Sequence, residues 1–242
     1  MKYTCLLLIT LGTFVCSAQQ TIEAGLGPLF NYHFIRTDPH QLGDSMKNIA
    51  ALRTTFQGGI RVNLKAGRNW KFQTGIGYAR NSSRFERTGL EFHDTIHTEI
   101  GRIEDLSQAA TKTVIYKYNF DYIEIPLNFM YQIHVQKGTS FYTPYVLIGV
   151  QNQLLMKHFM HVDLKGFSAY GEQSFDIDKT GWDGAEYKMQ LNLGARFEFK
   201  MEKSMAVSVQ PEIKIPLMAT AGDNPSVNHG ALGLWLGINR KF

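Results

Sequence analysis

The chain has 242 residues, 44% of them hydrophobic and 19% charged, with a formal net charge of +4. Its basic residues are scattered, without the Lys/Arg cluster of a nucleic-acid-binding surface, so no nucleic-acid partner is expected. Both cysteines, Cys5 and Cys16, lie near the N-terminus, which leaves the remainder without a disulfide, a thiolate metal ligand or a cysteine nucleophile.

Lys2, the apolar run that follows it, and the small residues Cys16 and Ala18 before Gln19 read as a secretory signal peptide cut after Ala18. The run is about half the ~20 residues a transmembrane helix needs. The expected organisation is a signal peptide over 1–18 and one domain over 19–242. No later stretch is long and apolar enough for a spanning helix, so any membrane crossing must use strands closed into a barrel.

Alternation of apolar and polar residues then marks eight strands in turn. In "TIEAGLGPLFNYHF" the residues Ile22, Ala24, Leu26 and Phe30 oppose Glu23, Gly25, Gly27 and Asn31. A polar segment over 36–50 follows. In "LRTTFQGGIRVNLKA", Phe56, Ile60, Val62 and Leu64 oppose Gln57, Arg61, Asn63 and Lys65. The short break "GRN" leads to "WKFQTGIGYAR", with Trp70, Phe72, Ile76 and Tyr78 on one face. A long polar segment over 81–112 precedes "VIYKYNFDYIEIPLNFMYQIH". There the apolar phase changes from even (Val114, Tyr116, Tyr118, Phe120) to odd (Ile123, Ile125, Leu127, Phe129). A one-residue change of face predicts a bulge near Asp121 and Tyr122.

After a short break comes "FYTPYVLIGVQNQLLM", whose alternation is less regular, and then a third long break over 158–183. "YKMQLNLGARFEFK" alternates without interruption. A tight connection leads to "MAVSVQPEIKIPL", a last long break covers 218–229, and "ALGLWLGINRKF" ends on Phe242.

The breaks therefore run long, short, long, short, long, short, long. That rhythm belongs to an up-and-down outer-membrane barrel, with long extracellular loops and short periplasmic turns. The expected fold is all-β: an eight-stranded antiparallel up-and-down transmembrane β-barrel preceded by a cleaved signal peptide. Aromatic placement agrees. Tyr32, Phe34, Phe56, Tyr78, Tyr118 and Tyr187 fall at the loop end, and Trp70, Phe72, Tyr131, Phe197, Phe199 and Phe242 at the turn end, as two interfacial girdles. An Arg or Lys facing lipid at midplane costs ~2–4 kcal/mol, so the charged phase is expected inside. Glu23, Arg61, Glu124, Arg196, Glu212 and Lys214 are the predicted luminal network. An eight-stranded barrel is just wide enough for its side chains to fill, so this reads as a salt-bridged plug rather than a pore.

The segment "YNFDYIEIPLNFMYQI" resembles the "YxEIPL" strand motif of the PorT-like outer-membrane β-barrel proteins of Bacteroidetes. "YVLIGVQNQL" and "NHGALGLWLGINRKF" resemble that family's fifth and last strands. The resemblance implies an outer-membrane location and leaves the task open, one branch being linked to protein secretion and gliding. The long second loop departs from it. Phe242, with Leu236 and Ile238 in phase, resembles the terminal signal read by the barrel assembly machinery, and is the predicted assembly signal.

Other chemistry is thinner. His93, Asp94 and His97, and His158 with His161, bring imidazoles close in sequence but lie in predicted loops, where solvated histidines are the expected reading and no metal or cofactor is assigned. His33, Ser82, Ser83 and Asp121 would be the components of a hydrolase or acyltransferase site at one height, with no local motif joining them. Asp44–Met46 and Asp94–Ile96 resemble the short O-glycosylation triplets of Bacteroidetes. The expected function is that of an integral outer-membrane protein, embedded in outer-membrane lipid and not an enzyme. Its loops over 36–50, 81–112, 158–183 and 218–229 are expected to bind a ligand, a surface partner or a secretion assembly. A lipid-modifying outer-membrane enzyme and a soluble ligand-binding β-barrel are the rival readings.

Overall fold

The computed structural model describes residues 20–36, 50–88, 95–97, 101–103, 113–133, 141–165, 173–177, 186–201, 204–218 and 226–242. The expected signal peptide over 1–18 lies outside the described residues, as do His93, Asp94 and the Asp44–Met46 triplet.

Eight long strands form one closed, fully antiparallel sheet. They are β1 (Gln20–Arg36), β2 (Arg53–Lys65), β3 (Trp70–Thr88), β4 (Thr113–Gln132), β5 (Tyr142–Lys165), β6 (Tyr187–Lys200), β7 (Met205–Pro216) and β8 (Ser226–Lys241). Each pairs with its neighbours in sequence, and β8 returns to β1 with Ile22 opposite Arg240 and Leu29 opposite Gly233. Closure satisfies the ladder of every barrel strand and removes the free edges that an open sheet would leave. The fold is the eight-stranded barrel that the alternation implies.

The oily phase faces outward. Leu26, Ile60, Ile76, Leu127, Ile148, Ile213 and Leu236, one from each of seven strands, are exposed, Ile76 at 59%. Glu23, Arg61, Glu124, Arg196, Glu212 and Lys214 are buried. A water-soluble barrel would bury the first set and expose the second. At the turn end the aromatics stack across strands: Trp70 on Tyr131 with ring centroids 4.8 Å apart, Phe72 on Phe129 at 5.2 Å, and Phe141 on Phe199 at 5.8 Å. At the other end Phe56 meets Tyr78 at 5.3 Å.

Two details differ from the sequence reading. The register shift does fall between Asp121 and Tyr122, but the extra residue is Met156 of β5: Asp121 pairs with Lys157 and Tyr122 with Leu155. The β3–β4 ladder passes the same point without a shift, from Arg80↔Asp121 to Ala79↔Tyr122. β4 therefore keeps its face. Tyr116, Tyr118, Phe120 and Tyr122 continue the inward phase of Glu124 and Asn128 and are buried. Tyr118 belongs to the interior rather than to the loop-end girdle. It is β5 that changes face: Gln151 and Gln153 are buried before the bulge, Met160, Val162 and Leu164 after it.

The second difference is length. β3, β4 and β5 have 19, 20 and 24 residues, against the ~9–11 that cross a bilayer. They continue into segments expected to be loops, and β8 starts at Ser226 rather than beyond 229. Short additional strands join them: Ala50–Ala51 pairs with Phe85 and Arg84, Gln173–Ile177 with Met160–Leu164 of β5, and Thr95–His97 with Gly101–Ile103 as a separate hairpin.

Candidate functional site

The interior is built in layers by the inward residues of all eight strands. Nearest the turn end, Glu23 of β1 meets the Arg196 guanidinium of β6 at 2.8 Å, with both side chains fully buried. Ser208 Oγ donates to Glu23 at 2.5 Å and Trp235 Nε1 at 2.9 Å. Room for this cluster comes from glycines. A Cβ on Gly237 would collide with the Glu23 carboxylate, and one on Gly25 with the Trp235 ring. Arg196 also donates to Gln210 and Asn239 at 3.1 and 3.0 Å, and pairs with Glu198 at 3.0 Å. Glu198 in turn holds Lys71 at 2.7 Å.

Above this layer, the Lys214 ammonium lies 3.0 Å from Glu124 and 3.6 Å from Glu212, and donates to Gln57 at 2.8 Å. Glu212 accepts from Gln57 and Gln210, each at 2.9 Å, and lies 3.8 Å from Arg61. Gln153 donates to Glu124. Arg61 stacks on Trp235, its guanidinium carbon 3.6 Å from the ring centroid. Gln73 bridges the walls, donating to Asn63 and accepting from Asn128, both at 2.9 Å. The six charged residues read from the alternation thus occupy the interior, joined in two connected clusters. Buried charges persist in a protein when paired and hydrogen-bonded; Glu23, Arg196, Glu124, Glu212 and Lys214 are held in that way, whereas Arg61 relies on Trp235 and on Glu212 at 3.8 Å, its Nη1 having no hydrogen-bond partner among the described residues. A space of about 10 Å³ lies beside Arg61, Glu124, Gln151 and Trp235, no more than one water would fill.

Toward the loop end the filling turns aromatic. The Lys188 ammonium lies 4.3 Å from the Tyr122 ring centroid, and Phe120 packs on His229 at 5.5 Å. Trp235, Tyr145, Lys188 and His229 are interior residues that the alternation leaves unmarked as a site. The sign available for them is phase alone, since each sits on its strand's inward positions.

The components of the alternative hydrolytic site separate. Ser83 faces inward and its Oγ bonds His229 Nε2. Ser82 faces the other way, onto the Tyr118 carbonyl and Asn119. Asp121 also lies on the outer face, held by Arg80 at 2.7 Å and accepting from Tyr78 at 2.7 Å. The His33 side chain lies outside the described residues. His158 and His161 are in β5 rather than in a loop; His158 stacks near Phe120 at 6.5 Å and His161 pairs with Asp163 at 2.9 Å. Among the described residues no three His, Cys, Asp or Glu side chains are grouped to hold a metal ion. Phe242 is exposed at the turn end, its backbone N–H donating to the Gln20 carbonyl at 3.1 Å.

A family model described as "Outer membrane protein beta-barrel domain" matches residues 17–219. No curated protein matches the chain. Several solved structures are similar. A major outer membrane protein from Thermus thermophilus is 13% identical, with 93% of this chain and 100% of that one covered and a TM-score of 0.47. Neisserial surface protein A is 10% identical over 92% and 97% of the two chains, with a TM-score of 0.44. The Escherichia coli outer membrane protein W is 13% identical over 93% and 98%, with a TM-score of 0.42.

Proposed function

Since the chain belongs to the outer-membrane protein beta-barrel domain family, we propose that it serves in that membrane as a non-catalytic scaffold whose loop end binds a ligand, a surface partner or a secretion assembly. Within that family we assign it to the PorT-like branch of Bacteroidetes, on the "EIPL" strand motif and the terminal strand. Export by the 1–18 signal and assembly through the Phe242-bearing strand β8 belong to the same reading.

The observation that carries the proposal is the filled interior. Two charged clusters and an aromatic layer occupy the barrel from Glu23 to His229, so the walls are spent on stability. The extension of β3, β4 and β5 beyond the length a bilayer needs, together with the loops they carry, is available for recognition. An enzymatic role finds no support in the geometry: Ser83 and His229 are buried together, while Asp121 lies on the opposite face of β4.

Photo-crosslinking in intact cells tests the reading. A photoreactive amino acid placed at position 92, within the segment joining β3 to β4, should give discrete covalent adducts that vanish when residues 90–111 are replaced by a short Gly/Ser turn. The same probe at Ile76, on the outer wall, should give only lipid adducts. Correctly assembled protein that forms no adduct from position 92, or hydrolytic activity on outer-membrane lipid lost in Ser83→Ala, would contradict it.

A further inference from the structure

At the turn end the interior opens into a basin of about 510 Å³. Its wall carries Lys65, Lys71, Lys200 and Lys241, from the inward phase of β2, β3, β6 and β8, with Arg68 on the turn between β2 and β3. Glu198 also lines it, but that carboxylate is already shared by Lys71 and Arg196. Among the described residues the basin therefore holds a surplus of positive charge.

The surplus is not a by-product of closing the barrel. Lys65 and Lys71 are direct cross-strand partners, an arrangement in which like charges repel and weaken the ladder. On the adjoining strands the same rim is built from neutral Gln132 and Thr143, so the fold does not demand cations there. Below the rim the floor is closed: the Lys71 ammonium lies 4.4 Å from the ring centroid of Tyr145, above the Glu23–Arg196 layer. A multiply cationic recess of this volume, open on its outer side, falls in the range of small-molecule sites.

We propose that this basin binds a soluble anion carrying two or more phosphate groups, entering from the aqueous side onto which the short turns open. Ammonium groups brought in from four strands suit a multivalent anion because each acts as a point charge without a fixed approach direction. Asn69 and Asn239 add neutral donors, the Asn239 amide nitrogen having no partner among the described residues. The opening runs along the barrel axis, and the strand wall separates it from the bilayer, so the ligand is a free anion rather than a lipid headgroup.

The test uses the full chain, exported and assembled, in phosphatidylcholine nanodiscs, titrated with tripolyphosphate by calorimetry at low salt. Saturable binding at one site per barrel is expected. The double variant Lys65→Gln/Lys200→Gln should bind about tenfold more weakly or worse, while Lys65→Arg/Lys200→Arg should restore the affinity. Lys117→Gln, a lysine paired with Asp163 at the other end of the barrel, should leave it unchanged. All variants are first checked for heat-modifiable migration on gels, so that loss of binding is not loss of fold. Absence of saturable binding, equal affinity in the glutamine variant, equal loss in Lys117→Gln, or tighter binding of polyglutamate than of tripolyphosphate would each overturn the assignment.

Discussion

Replacing Arg196 with methionine should lower the barrel's unfolding free energy by about 3–5 kcal/mol, the usual consequence of leaving one member of a buried ion pair without its partner. Glu23 would keep its hydrogen bonds from Ser208 and Trp235 but would face no cation at contact distance. Glu198 would retain Lys71 and its hydrogen bond with Tyr145. Recovery in a double variant separates two roles for the plug. If the pair matters because a lone carboxylate cannot remain buried, then Glu23→Gln/Arg196→Met should recover most of the loss, since a neutral amide can still accept from Ser208 and Trp235. Urea unfolding in phospholipid vesicles measures this, with an unchanged m-value indicating that the surface exposed on unfolding is the same in variant and parent. A double variant as unstable as the single one would mean that packing of the Arg196 stem, and not charge compensation, dominates the layer.

The second large effect lies on the other face of the wall. Ile76→Arg should cost about 2–4 kcal/mol in a bilayer, because a guanidinium at the hydrocarbon midplane must be desolvated or drag water inward. The same substitution at an exposed position of a water-soluble barrel would fall within about 0.5 kcal/mol of neutral. The outcome thus distinguishes an outer-membrane barrel from a soluble ligand carrier of the same topology. Vesicle unfolding gives the free energy, and heat-modifiable migration reports whether the variant assembles at all. A variant indistinguishable from the parent would place Ile76 in water.

Both effects rest on strand phase, and phase was the most legible property of the chain. In β1, β2, β3, β6, β7 and β8 the hydropathy contrast between lipid and a charged interior is large, so alternation alone separates Ile60 from Arg61 and Ile213 from Glu212. The partners within the interior were not legible. That Arg196 binds Glu23, 173 residues away, and that Lys214 binds Glu124, depend on how far neighbouring strands are staggered around the barrel, a quantity no single strand encodes.

The phase signal breaks down where the surroundings change. Along β4 the inward residues pass from Asn128 and Glu124 to Tyr122, Phe120 and Tyr118, because the interior itself becomes aromatic toward the loop end. Hydropathy then reverses while the backbone does not, and the sequence imitates a change of face. In β5 the face does change, at Met156, but a mixed set of neighbours on both sides of the bulge hides it. Beyond the bilayer the outer face of β3, β4 and β5 is no longer set against hydrocarbon. With no hydrocarbon to impose a contrast, strands such as the stretch through Asn81 and Ser82 read as loop.

Lipid quenching tests most directly whether the outward phase lies in hydrocarbon, on which everything above depends. Cys5 and Cys16 fall in the segment expected to be removed on export, so the processed chain with Ile76→Cys carries a single thiol for a bimane label. In vesicles containing phospholipid brominated on its acyl chains, the Ile76 label should be strongly quenched and should resist iodide in the water phase. A label on Arg68→Cys, at the turn, should show the opposite pattern. Iodide quenching at both positions, with no effect of the brominated lipid at Ile76, would contradict the account.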